Sequence, residues 1–139
     1  MDAVKNVSCF VVVGLYVMLL VRPDGKLMTP GGKRDHKERK WTALMREWME
    51  EVGMNLPRSG DVDFGKSFCR SHSNGTQTKI YVGYSSRPME WFVFNKDGVL
   101  RPGETVGIRW MTVDDALRSD RVVGYVRDSL RDARRSRYL

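Results

Sequence analysis

Two cysteines and two histidines are all that this 139-residue chain has of the residues that staple small proteins or grip soft metals. Cys9 and Cys69 stand far apart and in no metal-ligand spacing. They read as reduced, buried thiols of a cytosol-like compartment rather than as a disulfide framework. His36 and His72 form no ligand cluster either. A membrane-spanning run is also missing. Cys9 to Val21 is almost unbroken in its apolar character, but a bilayer needs about 20 residues. Arg22-Pro23-Asp24-Gly25, which follows it, lacks the small-x-small site of a cleaved signal peptide. The run therefore reads as buried strands broken at Gly14, and no membrane is expected. Internal repeats and low-complexity linkers are absent too, so residues 1–139 are expected to form one domain.

What is present is apolar substance and positive charge. The apolar fraction of 41% and four tryptophans exclude a disordered chain. The formal net charge of +7 points to anionic partners, whether nucleic acid, nucleotides or polyphosphates.

Along the chain, Phe10–Val13 and Leu15–Val21 read as strands, followed by a turn at Pro23-Asp24-Gly25-Lys26 and a short strand at Leu27-Met28. From Lys37 to Val52 the pattern is helical, and Gly53 stands where a left-handed cap belongs. Phe64–Arg70 and Lys79–Tyr84 read as a hairpin turning at Ser73-Asn74-Gly75. Trp91–Phe94 reads as a strand, Asp97-Gly98 as a turn and Ile108–Met111 as the last strand. A short helix starts at Thr112 or Asp114. Val122, Val126, Leu130 and Ala133 then recur at helical spacing in a terminal amphipathic helix. Strands interleaved with helices indicate an α/β or α+β fold.

The helix ending at Gly53 carries an unusual stripe. With Glu47 at zero on a helical wheel, Glu50 falls near roughly −60° and Glu51 near roughly +40°. Leu44, Trp48, Trp41, Val52 and Met45 occupy the adjoining arc, which is expected to be buried. Like charges at this spacing repel, and they lie in the last turns, where the macrodipole favours cations. A helix selected for stability alone would carry Lys or Arg there. A hard divalent cation such as Mg2+ removes both conflicts, and Arg46 is placed to pair with Glu50 one turn on.

From Gly32 to Met54 the sequence is GKRDHKERKWTALMREWMEEVGM. It resembles the Nudix box, in which Gly, five residues, Glu and seven residues precede Arg-Glu-U-x-Glu-Glu-x-Gly-U, with U a bulky aliphatic residue. Gly32, Glu38, Arg46, Glu47, Glu50, Glu51 and Gly53 fall on its fixed positions. Chance gives seven such matches at roughly one in 10⁸ to 10⁹ per start position. The lead-in Thr29-Pro30-Gly31-Gly32 and the later Glu104 with Ile108-Arg109-Trp110 are also similar to the family's flanks. Trp48 departs from the usual Ile, Leu or Val, and Lys37-Glu38 departs from the common Gly-Glu.

The resemblance implies a mixed β-sheet sandwiched between helices and Mg2+- or Mn2+-dependent hydrolysis of a phosphoanhydride bond. It implies Glu47, Glu50 and Glu51 as metal-binding and catalytic glutamates, and Arg46 as their orienting cation. Gly32 would offer close backbone approach or its carbonyl. Glu38 is either a further metal ligand or a helix-start cap after Asp35. Glu104 is either a ligand or base, or an exposed turn residue after Pro102-Gly103.

The cations Lys33, Arg34, Lys37 and Arg39, with Lys40, suit a substrate rich in phosphate: a nucleoside triphosphate, capped RNA or a diphosphoinositol polyphosphate. Trp91, Phe92, Tyr81 and Tyr84 are available for base stacking. Arg131, Arg134, Arg135 and Arg137 either extend an RNA track or complement a helix dipole. Two other readings use the same residues: a non-enzymatic Nudix-like RNA-binding domain, and a sanitiser of oxidised nucleoside triphosphates. A cytoplasmic location and no protein partner are expected.

Overall fold

A computed structural model describes residues 2–99, 101 and 103–139; Pro102, half of the turn expected before Glu104, lies outside them. The strands are β1 (Val4–Val13), β2 (Tyr16–Val21), β3 (Leu27–Met28), β4 (Gly31–Lys33), β5 (Val62–Ser71), β6 (Gln77–Ser85) and β7 (Gly107–Thr112). The helices are α1 (Lys40–Val52), α2 (Val113–Arg118) and α3 (Gly124–Arg135). This is the mixed α+β arrangement expected, one mixed sheet in the order β3-β2-β1-β6-β5, with β4 also on β1 and β7 also on β2.

β1 organises the sheet. It runs parallel to β6, with Phe10 opposite Val82. On its other edge it is antiparallel to β2 at Val12 and to β4 at Val7. Both faces are covered, which explains the unbroken apolar run. Val7, Cys9 and Val11 pack under α1 with Leu44, Trp48 and Val52. Phe10 and Val12 pack under α2 and α3 with Ala116, Val126, Leu130 and Ala133. Side-chain alternation along one strand thus feeds two cores. Trp48 is fully buried, as its wheel position requires; among the described residues its indole N–H has no acceptor.

Several expectations are corrected. β1 begins at Val4 rather than Phe10, and β4 was not foreseen, because pairing with β1 makes a strand of a Gly-Gly-Lys segment that has no strand pattern of its own. α1 starts at Lys40 rather than Lys37, whose positive φ of 62° ends any helical path. Trp91–Phe94 is not a strand: a 3-10 turn spans Met89–Trp91 after Pro88. Val122 precedes α3 and bridges to Leu27. Thr112 caps α2, accepting from the Asp115 N–H. Trp41 and Met45 are exposed rather than buried, since Ala43, Leu44, Trp48 and Val52 fill the face against the sheet; Trp41 still meets Phe64 and Tyr81 edge-on. Cys69 is exposed, while Cys9 is buried as expected. No helix of the described residues is long and apolar enough to cross a membrane.

Candidate active site

β4, the turn after it and α1 form one unit. Asp35 and Glu38 close the turn, Glu38 N–H donating to the Asp35 carbonyl and Asp35 N–H to the Glu38 carboxylate at 3.0 Å. Glu38 therefore does bond back to Asp35, but in a turn ahead of the helix rather than inside its first turn. Arg39 is the N-cap residue and gives no side-chain cap. At the far end Gly53 adopts φ 79° and donates to the Met49 carbonyl, the left-handed cap expected.

Arg46 ties the unit together. Its Nε and Nη2 grip both oxygens of Glu38 at 2.9 and 3.0 Å, and Nη2 also donates to the Lys33 carbonyl at 2.9 Å. Its Nη1 reaches Glu47 at 3.0 Å and Glu50 at 3.3 Å. The bidentate bond to Arg46 holds the Glu38 carboxyl below its ordinary range, and the Glu38 bond in turn raises the arginine's own value.

Glu47, Glu50 and Glu51 are all buried. Burial raises the Glu47 carboxyl, with Arg46 opposing. Burial pushes Glu51 up to about 8, against the bond that its Oε1 accepts from the Gly31 N–H at 2.8 Å; Glu47, Glu104 and Glu50 push it further in the same direction. The two glycines of β4 are required by this packing. A Cβ on Gly32 would lie 2.5 Å from the Glu47 carboxyl carbon. Gly31, at φ 148°, would drive one into the Val7 carbonyl.

A loop from β7's side covers the last turn of α1. Asn95 N–H donates to the Val52 carbonyl and the Thr105 hydroxyl to the Glu51 carbonyl, satisfying carbonyls that a helix end leaves open. This loop brings Arg101 to Glu50, Nη2 to Oε2 at 3.2 Å, and leaves Glu104 half exposed beside Arg101 at 4.0 Å. Arg101, Thr105 and the Gly31 N–H were not foreseen. They are remote in sequence or act through the backbone; only the lack of any cation in the helix's own last turn hinted at one arriving from elsewhere.

The donor set fits a hard divalent cation. Three buried carboxylates lie within two helical turns, beside strand backbone that glycine leaves bare, and oxygen is the donor Mg2+ prefers. Among the described residues, no three acidic, histidine or cysteine side chains converge into a ready ligand shell. Glu47 and Glu50 are turned towards Arg46 and Arg101 and Glu51 towards the Gly31 N–H instead, so converging on an ion would require side-chain rotation.

The expected phosphate-binding cations divide. Lys33, Lys37 and Arg39 are exposed on the rim. Arg34 and Lys40 are turned to Asp2, at 3.1 and 3.5 Å. Next to Gly31 and Gly32 lies a cavity of about 340 Å³, lined also by Asn6, Ser8, Thr29, His72, Thr78 and Tyr125. His72 Nε2 meets the Thr78 hydroxyl at 2.7 Å, and Ser8 meets Thr29 at 2.9 Å. The aromatic ring at this cavity is Tyr125, not those expected. Phe92 is buried in the α1 core and Trp91 packs edge-on against it. Tyr81 meets Trp41, and Tyr84 donates to the Tyr138 carbonyl. Tyr125 is 57% exposed, its ring at the cavity's edge. The basic C-terminal run is largely neutralised: Arg131 pairs with Asp128, Arg134 with Asp114 and Arg135 with Asp132.

Residues 4–131 match the family model described as the NUDIX domain. No curated protein matches the chain. Among solved structures, an Ap4A hydrolase of C. elegans in a binary complex is similar at 18% identity and TM-score 0.63, covering 92% of this chain and 94% of that one. The MutT protein of Methanosarcina mazei is similar at 20% identity and TM-score 0.63, with 96% and 94% covered. A Nudix hydrolase of M. smegmatis reaches TM-score 0.66 at 18% identity, with 99% and 88% covered. Identities this low carry the fold alone.

Proposed function

We propose substrate and residue roles from one premise: the chain belongs to the NUDIX domain family and is a pyrophosphohydrolase of the Nudix type. The substrate in this reading is a nucleotide carrying several phosphates, cleaved at a phosphoanhydride bond with Mg2+ or Mn2+. The observation that carries it is the clustering of three buried glutamates on α1, Glu47 packed against Gly32 and Glu51 against Gly31, with a cavity of about 340 Å³ bordered by the same two glycines.

A divalent cation held by Glu47, Glu50 and Glu51, with Glu38 and the Gly32 carbonyl nearby, would neutralise anhydride oxygens and lower the pKa of water. The chain's own residues do the rest. Arg46 sets the orientation of Glu47 and Glu50. Water attacks phosphorus, the bridging P–O bond breaks, and the leaving phosphate departs with the electron pair. The water's proton passes to a carboxylate of the cluster, or to a second water that one of them holds. Lys33, Lys37 and Arg39 attract the phosphate chain from the rim. Glu104, half exposed beside Arg101, adds to the negative potential around Glu51.

The nucleoside would enter the cavity, where Asn6, Ser8, Thr29, His72 and Thr78 present hydrogen-bonding edges and Tyr125 a ring face. This favours a nucleotide over a diphosphoinositol polyphosphate, which has no base to place. Pairing of the C-terminal arginines within the chain weighs against a purely RNA-binding role.

The test is a panel of normal and oxidised nucleoside triphosphates, capped RNA, a diphosphoinositol polyphosphate and Ap4A (the last because one structural neighbour is an Ap4A hydrolase). Each is incubated with Mg2+ or Mn2+ and wild type or Glu51→Gln. Release of a phosphate-bearing product from a nucleotide by wild type alone is expected. Absence of turnover on every compound with both metals overturns the reading. A strong preference for the oxidised triphosphate would identify a sanitiser.

A further inference from the structure

Two guanidinium groups reach the glutamate cluster, and they are held very differently. Arg46 contacts Lys33, Glu38, Glu47 and Glu50, and its side chain is 24% exposed. Among the described residues Arg101 pairs with Glu50 at 3.2 Å and Glu104 at 4.0 Å, and it is 47% exposed. Its loop is pinned near the site by Thr105 on the Glu51 carbonyl and by Val106 N–H on the Val21 carbonyl. The backbone therefore keeps Arg101 close, while its side chain is held, among the described residues, by ion pairs.

We propose that Arg101 is a displaceable counter-ion. It neutralises Glu50 in the metal-free protein, yields that carboxylate to a divalent cation, and then turns its guanidinium to the phosphate oxygens of the substrate. The inference rests on the hydrolase reading above and adds a residue to it that the family's box does not contain.

Three observations support it. First, Glu50 cannot face an incoming cation and Arg101 together: Arg46 already reaches both its oxygens, at 3.3 and 3.4 Å, and Arg101 takes Oε2 from the other side. Second, Arg101 is the weaker of the two holds, so a divalent ion displaces it before Arg46, whose loss would undo the turn at Glu38. Third, the released side chain has somewhere useful to go. A cleft of about 440 Å³ borders Gly103 and Glu104 of the same loop and is lined also by Arg22, which is paired to Asp24 at 3.3 Å. A planar guanidinium fork matches phosphate geometry.

The test uses Arg101→Ala, Arg101→Lys and, as a control that removes the same charge elsewhere, Arg118→Ala in the exposed α2 pair with Asp115. Mn2+ affinity without substrate is measured by electron paramagnetic resonance. Affinity for imidodiphosphate, a non-hydrolysable anhydride, is measured at saturating Mn2+. Arg101→Ala is expected to bind Mn2+ about two- to fivefold more tightly, because a competing ion pair is gone. It should bind imidodiphosphate about tenfold more weakly, because charged hydrogen bonds are lost. Arg101→Lys should fall between, and Arg118→Ala should match wild type in both. Unchanged or weaker Mn2+ binding in Arg101→Ala, or unchanged imidodiphosphate binding, overturns the proposal. If wild type binds Mn2+ and turns over a nucleotide while Arg101→Ala is indistinguishable, only this inference fails. If wild type does neither, the hydrolase reading fails with it.

Discussion

α1 and α3 lie on opposite faces of the same sheet and end in opposite ways. The last turn of α3 carries Arg134 and Arg135, cations where the helix dipole is negative, and its acidic residues are paired with arginines. The last turn of α1 carries no basic residue and buries Glu50 and Glu51 instead. Both helices have a well-packed apolar face, Leu44, Trp48 and Val52 in one, Val126, Leu130 and Ala133 in the other. The difference is therefore confined to polar groups. α3 follows the rules for stability, whereas α1 breaks them at one end, and the breach is compensated by residues from other elements: Gly31, Thr105 and Arg101. A local violation of stabilising rules, supported from several directions, marks the place where function has constrained the sequence.

The comparison predicts opposite outcomes for substitutions in the two helices. Glu51→Gln keeps an oxygen for the Gly31 N–H but removes the buried charge. Turnover should fall about a thousandfold, as for loss of a group central to metal and proton handling. Thermal stability of the metal-free protein at pH 8 should rise at the same time. A fall in both would show that Glu51 serves the fold. In α3 the pattern reverses: Leu130→Ala, fully buried among Phe10, Ile80 and Val126, should cost about 2–5 kcal/mol in denaturant unfolding. The protein that remains folded should keep its turnover number. Loss of specific activity matching that of Glu51→Gln would erase the distinction between the two faces.

Much of this contrast is legible in the sequence, for a physical reason. Glu47, Glu50 and Glu51 are buried on one helical stripe, and Gly32 and Gly53 are fixed by close approach and by a positive φ; such requirements leave spacing behind. The apolar run from Cys9 and the α3 face are written the same way. What was not legible is what pairing and loops decide. β4 exists because β1 offers it an edge. Trp91–Phe94 has the aromatic content of a strand, yet Pro88 and the turn hydrogen bonds of Trp91 and Phe92 take it out of extended pairing. Arg101 and Tyr125 carry no local signature at all, since their role depends on where a distant loop and a helix start come to rest.

A smaller effect separates the two faces by pH. The Glu51 carboxyl is at about 8 in the folded protein against 4.5 for a free glutamate. The folded state thus holds that proton more tightly than the unfolded chain. Its contribution to stability is complete below pH 4.5 and is lost as pH rises through about 8. Glu38 acts oppositely: its lowered value contributes stability above the free-glutamate range, lost only in more acidic solution as its folded value is passed. In chelator, the unfolding free energy should therefore decline between pH 5 and pH 8, by an amount on the order of 3 kcal/mol. Glu51→Gln should flatten that decline, whereas Leu130→Ala should lower the whole curve without changing its slope. An unaltered slope in Glu51→Gln would mean that another group sets it.

The smallest expected effect tests whether α3's orderly end matters at all. Arg134 pairs with Asp114 of α2 at 2.8 Å, and Arg135 with Asp132 of its own helix at 3.7 Å. All four side chains are substantially exposed, so water and salt screen them. Arg134→Ala and Arg135→Ala should each cost less than about 1 kcal/mol, with Arg134 the larger because it also links two helices. That cost should shrink further in high salt. If either change matched Leu130→Ala, the ordinary C-terminal cations would be holding α3 in place, and the contrast with α1 would need a different basis. If RNA binding also collapsed with them while hydrolysis persisted, the basic end would be a second anionic surface rather than a stabilising cap.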